Sequence, residues 1–161
     1  MRLNEIMQGL SPCLLLAAGF LSTGCASNPV FPLARPSKDL QAEVVVFRES
    51  AFAAGGVPLT VGVDGKAFAN IGNDEKVRVL LPVGEREVFV QARSAEPTRL
   101  KVSLAKGATI CLRTSSNSDT YAKAVVPITL MATGYHFYLD QVPCPADDVM
   151  ARYRDVAVTY Q

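Results

Sequence analysis

The chain has no tryptophan and only one histidine, His136, among its 161 residues. That scarcity thins the supply of general bases and metal ligands. Charge is sparse too: 16 Lys and Arg stand against 15 Asp and Glu, a net of +1. No run of one sign occurs. Binding nucleic acid needs a basic face that displaces counterions, and a polybasic membrane patch needs clustered Lys and Arg. Neither is written here, so no nucleic-acid partner is expected. Glycines 55, 56, 62, 65 and 72 are not followed by Gly-Lys-Ser/Thr in a strand–helix context, which excludes a phosphate loop. The apolar run Cys13–Leu21 is far shorter than the roughly 20 residues that span a bilayer.

What that run does have is the length of a signal-peptide hydrophobic region, with Arg2 upstream and Glu5 partly cancelling it. It leads into Leu21-Ser22-Thr23-Gly24-Cys25-Ala26-Ser27. This sequence resembles the lipobox of bacterial lipoproteins, with Ser22 where Leu is commonest and Leu21 one place early. The resemblance implies a diacylglyceryl group on the Cys25 thiol, cleavage just before it, and acylation of the new amine. Small Thr23 and Gly24 suit a narrow protease site. Several acyl chains hold a protein on a bilayer where one is marginal. Ala26, rather than Asp, after the Cys implies sorting to the outer membrane, facing the periplasm, with the inner membrane as the alternative. The competing reading is an ordinary secretory signal that leaves Cys25 a free thiol. Residues 1–24 are therefore expected to be a signal peptide and 25–41 a lipidated, flexible Pro-rich tether. Pro29, Pro32 and Pro36 favour extended chain, and at about 3.1 Å per residue the spacer would reach about 50 Å.

From Glu43 onward the apolar pattern has period two, in short runs broken by turn residues. The runs fall at 57–63, 76–81, 87–92, 99–104, 108–113 and 135–140, with two whose faces are less clear at 44–48 and 124–131. Asp64-Gly65 is a strong hairpin signal, because both central residues of that turn need positive φ. Pro82-Val83-Gly84 and Lys106-Gly107 mark further turns. About eight short strands of this kind predict an all-β fold, an antiparallel β-sandwich over residues 42–144. A small closed barrel is the alternative. Residues 145–161 are expected to form a short helix near 146–154 and an extended tail. Asp147 and Asp148 come early and Arg152 and Arg154 late, as a helix dipole favours, and Val149, Tyr153 and Val156 share one helical face.

The four cysteines sort by region. Cys13 leaves with the signal peptide and Cys25 is the lipid site. Cys111 and Cys144 remain, an even pair in an oxidising compartment, and are expected to form a disulfide. Two Cys with one unplaced His make a poor zinc site, so no metal or cofactor is expected beyond the covalent lipid on Cys25.

Val44-Val45-Val46-Phe47-Arg48, Val61-Gly62-Val63-Asp64-Gly65-Lys66, Val77–Val83-Gly84 and Ala105-Lys106-Gly107 together resemble the DUF2846-type lipoproteins, whose layout is similar to PEGA-like sandwich modules. The likeness spans about residues 43–113. It implies a sandwich and an envelope location, and it carries over neither an activity nor catalytic residues.

Candidate chemistry is thin. His136 is the one group that could deprotonate a nucleophile, yet no nucleophile elbow lies near it. Asp147 and Asp148 diverge on a helix and suit its first turn without binding anything. No catalytic residues are assigned. Leu80, Phe89 and Tyr138 fall on the polar sides of their strands and form a candidate partner patch. The expected function is a membrane-anchored, non-enzymatic envelope module that binds another envelope protein. The alternatives are a carrier or sensor of a small apolar or glycan ligand, with a pocket between the sheets or in a barrel mouth, and, third, a hydrolase using His136.

Overall fold

The computed structural model of the chain describes residues 28–51, 56–93, 95–116 and 136–161. The expected signal peptide (residues 1–24), the expected lipid site Cys25 and the less clear strand run at 124–131 lie outside the described residues.

Nine strands are described: β1 (Gln41–Arg48), β2 (Leu59–Val63), β3 (Lys66–Ile71), β4 (Glu75–Pro82), β5 (Gly84–Ala92), β6 (Thr98–Leu104), β7 (Thr109–Ser116), β8 (Phe137–Val142) and β9 (Arg154–Val156). They form two sheets, ordered β8-β7-β1-β4-β9 and β3-β2-β5-β6. The period-two pattern sets which side chains meet between them. Val44 and Val46 of β1, Val77, Val79 and Leu81 of β4, and Leu112 of β7 point inward from the larger sheet. Leu59, Val61, Val88, Val90 and Val102 meet them from the smaller one. The sandwich is thus the architecture that the alternation predicts, and the barrel alternative gives way to two distinct sheets.

The turns follow their chemistry. Asp64 and Gly65 take φ of 48° and 79° and join β2 to β3, as the Asp-Gly hairpin requires. The turn is written in the sequence but β3 is not, because its Ala67-Phe68-Ala69 run lacks alternation. The reason is a bulge: the β2–β3 register shifts between Val61 and Gly62.

Most pairs are antiparallel as expected, but β1–β7 and β4–β9 are parallel. The first follows from the crossing. The turn after β6 delivers the chain to the start of β1, where Gly107 N–H donates to Gln41 O and Glu43 N–H to Ala108 O, both at 2.9 Å. From there β7 can only run alongside β1.

The two ends of the described chain differ from expectation. The helix is a single turn, α1 (Asp147–Met150), and Val156 belongs to β9 rather than to a helical face. Pairing with β4 competes with helix propagation, and a helix this short gains little from its few internal bonds. The Pro-rich spacer is extended, but from Asn28 on it lies on the sandwich and does not project from it. Phe31 N–H donates to Ala67 O, and Leu33 N–H donates to Thr159 O while Gln161 N–H donates back to Leu33 O, each at 2.9 Å. Leu33 is 7% exposed and belongs to the main core. Arg35 stacks on the Tyr160 ring, 5.1 Å from its centroid. Burial of Leu33 and four backbone or ring contacts hold down a segment whose composition alone suggests free chain.

Truncating Leu33 to Ala is expected to lower the stability to urea by about 2–4 kcal/mol, the usual cost of a cavity at a buried Leu. An unchanged urea midpoint would mean that the segment is a free spacer after all.

Candidate functional site

The outer face of the five-stranded sheet is apolar at its centre. Val45 and Phe47 of β1 point outward beside Cys111 of β7. Left open, they would form an exposed hydrophobic patch. The C-terminal segment covers them: Met150 of α1 is buried against this group, and Val142 and Tyr153 flank it. The Phe47 and Tyr153 rings meet edge to face at 5.3 Å. Lys76 fastens the cover. Its side chain is 5% exposed, and its ammonium donates to Met150 O at 2.7 Å and Tyr153 O at 2.8 Å, with the Asp155 carboxylate at 3.3 Å. Those carbonyls belong to the last residue of α1 and the turn after it, which have few backbone donors to satisfy them. The disulfide expected between Cys111 and Cys144 is present, with Cα atoms 5.0 Å apart, and ties the β8–α1 loop to the same face.

The three residues of the expected partner patch do not come together. Leu80 and Tyr138 share this outer face, but β7 and β1 lie between their strands and they sit toward opposite ends of the sheet. Leu80 is half-buried, and its N–H donates to the Tyr160 hydroxyl at 2.8 Å. Tyr138 is exposed. Phe89 is on the other sheet and is buried there. Its ring packs against Gly62, so close that a Cβ at 62 would stand 2.1 Å from Cζ. Only glycine permits that approach.

Phe89 floors a groove of about 430 Å³ on the outside of the four-stranded sheet, lined also by Asn28, Phe31, Thr60, Lys66 and Gln91. Thr60 Oγ1 donates to Asn70 Oδ1 at 2.8 Å, and Asn70 Nδ2 donates to Asn28 O at 2.9 Å, so the groove wall is the docked N-terminal segment. A second hollow of about 450 Å³ lies at the disulfide, between Thr109, Ile110, Gln141 and Pro143. Both are outside the sheets. Between the sheets the described core consists of packed aliphatic side chains together with Phe68 and Phe137.

No catalytic group assembles among the described residues. His136 is exposed just before β8. Asp147 and Asp148 are exposed in the first turn of α1. No cluster of three His, Cys, Asp or Glu that could hold a metal occurs among the described residues. The chain matches no protein-family model and no curated protein.

Two buried cations were not singled out from the sequence. Arg48, 1% exposed, donates from Nη1 to Val57 O at 2.5 Å and lies over the Phe137 ring at 5.0 Å. Burial pushes its pKa down, and Glu75 pushes it back up. Alternation could have found it, because Arg48 has the parity of Val44 and Val46 and must point inward. Lys76 has outward parity and is buried only because residues 150–155 fold over it. Glu75, its neighbour, accepts from Gly72 N–H at 2.6 Å and pairs with Arg154.

Replacing Cys111 and Cys144 together by Ala is expected to cost about 3–4 kcal/mol, the loop-closure entropy of a cross-link at this separation. Thermal melts of the oxidised and reduced protein should differ, and those of the variant should not. Burial raises the Tyr153 pKa above its ordinary 10.0, helped by Glu49 and Asp74. A raised phenol favours the folded state in its neutral form. That contribution is complete below pH 10 and is lost as pH climbs past it. Tyr153→Phe should therefore flatten the alkaline limb of a stability–pH curve; identical limbs would contradict the assignment.

Proposed function

We propose that this protein is an outer-membrane lipoprotein, anchored through lipid on Cys25 and facing the periplasm, whose sandwich is a non-enzymatic structural or interaction module for another envelope protein. The observation that carries this is the short apolar run Cys13–Leu21 leading into Ser22-Thr23-Gly24-Cys25, placed just ahead of a disulfide-closed domain. The Cys111–Cys144 bond adds support, because such bonds persist in oxidising compartments and are rare in the cytosol. The residue blocks between Val44 and Gly107 quoted above resemble those of DUF2846-type lipoproteins, a resemblance that implies the same envelope location. The interaction role is the reading favoured by the exposed apolar side chains Val30, Phe31, Leu40 and Tyr138 among the described residues.

The test is fractionation. Wild-type protein should sediment with outer membranes and gain the mass of a diacylglyceryl group and an acyl chain on a mature chain beginning at Cys25. Cys25→Ser should move it to the soluble fraction. Wild-type protein with an unmodified thiol at 25, or a Cys25→Ser variant that stays tightly on membranes, would overturn the proposal.

A further inference from the structure

Four large apolar side chains are exposed among the described residues: Val30, Phe31, Leu40 and Tyr138. Two of them are adjacent in sequence. In extended chain, neighbouring side chains point to opposite sides. Yet Val30 is 45% and Phe31 52% exposed. A segment that shows both its sides stands proud of the surface as a ridge. This ridge flanks the Phe89 groove at the β3 edge of the four-stranded sheet, where Phe31 N–H holds Ala67 O.

Its position in the chain says what covers it. Asn28 is pinned through its carbonyl to Asn70 Nδ2. Cys25 lies three residues earlier. Fully extended, that interval reaches about 10 Å. A lipidated Cys sits where acyl chains meet headgroups, and the headgroup layer is only about 5–8 Å thick on each side of the bilayer. Asn28 therefore sits within that layer or no more than a few Å beyond it. Val30 and Phe31 follow immediately. The spacer of about 50 Å that composition suggests is not available, because the sandwich takes up its chain from residue 28 on.

We propose that the Val30–Phe31 ridge is a membrane-contact surface: it enters the headgroup region of the bilayer that holds the anchor, and it sets the four-stranded sheet toward the lipid. This rests on lipidation of Cys25 and adds an orientation to it. Apolar side chains at that depth are favoured by the same area-dependent transfer that holds interfacial helices. The five-stranded sheet, with Tyr138 on its outer face, then looks away from the membrane and is free to meet a partner.

The absence of tryptophan makes the test clean, since any Trp introduced is the sole reporter. The lipidated full-length protein carrying Phe31→Trp, Val30→Trp or Tyr138→Trp is reconstituted into vesicles of phosphatidylethanolamine and phosphatidylglycerol, with a fraction of headgroup-proximal brominated lipid. All three positions are exposed, so the variants are expected to fold. At position 30 or 31, Trp emission should shift to the blue and be quenched several-fold more strongly than at 138. Protein that floats with the vesicles but shows equal, weak quenching at all three positions would overturn the orientation and leave the anchor standing. Mass spectrometry showing no lipid on Cys25 would remove both.

Discussion

The structure depends on one strand that is apolar on both sides. β1 carries Val44 and Val46 on its inner face and Val45 and Phe47 on its outer face, all nearly inaccessible to water. A strand of that kind cannot be half-solvated, so the chain has to supply two covers. The four-stranded sheet is the first. The second is built from α1, Tyr153 and the β8–α1 loop. Lys76 and the Cys111–Cys144 bond hold it there, one by capping carbonyls and the other by a covalent link. Each attachment makes sense only because Val45, Phe47 and Cys111 would otherwise face solvent.

The same economy governs the edges. A sheet edge with unpaired N–H and C=O groups invites a foreign strand. β4 is paired with β9 over only three residues, Glu75–Val77. Beyond them, the Tyr160 hydroxyl takes the N–H of Leu80. At the β3 edge the segment from Asn28 to Leu33 does similar work, and Leu33 in turn bridges to Tyr160. The two ends of the described chain thus close the side of the sandwich together, with Leu33 completing the core between them.

Much of this was legible in advance. Alternation gives the facing of β2, β4, β5, β6 and β7, and Asp64-Gly65 gives its turn; β1, apolar at Val44, Val45, Val46 and Phe47 alike, shows no preferred side. The disulfide was legible too, because Cys111 and Cys144 are the one pair left once Cys13 and Cys25 are set aside with the expected leader and lipid site. The candidate patch of Leu80, Phe89 and Tyr138 was not, since local polarity says which side of a strand a residue takes and nothing of which sheet that strand joins. Phe89 shows the limit well. Its burial depends on Gly62, on a neighbouring strand, and on a segment near residue 30. The parallel β1–β7 pairing was hidden for a related reason: direction is set by where a crossing lands, and period two carries no direction. The ends were misjudged because proline content and helix dipole logic describe isolated segments, whereas Leu33 and β9 are placed by partners distant in sequence.

The Leu33–Tyr160 bridge has a consequence for when the fold can form. Its partners are separated by well over a hundred residues, and the cover over Val45 and Phe47 comes from the same late stretch. Contacts of such long range are costly to close and slow folding. A nascent chain that has made every strand through β8 still lacks the pieces that shield β1 outside and finish the core at its edge. Acquisition of the native state therefore waits for the stretch from Met150 to Tyr160 to be made, however early the strands it covers have emerged.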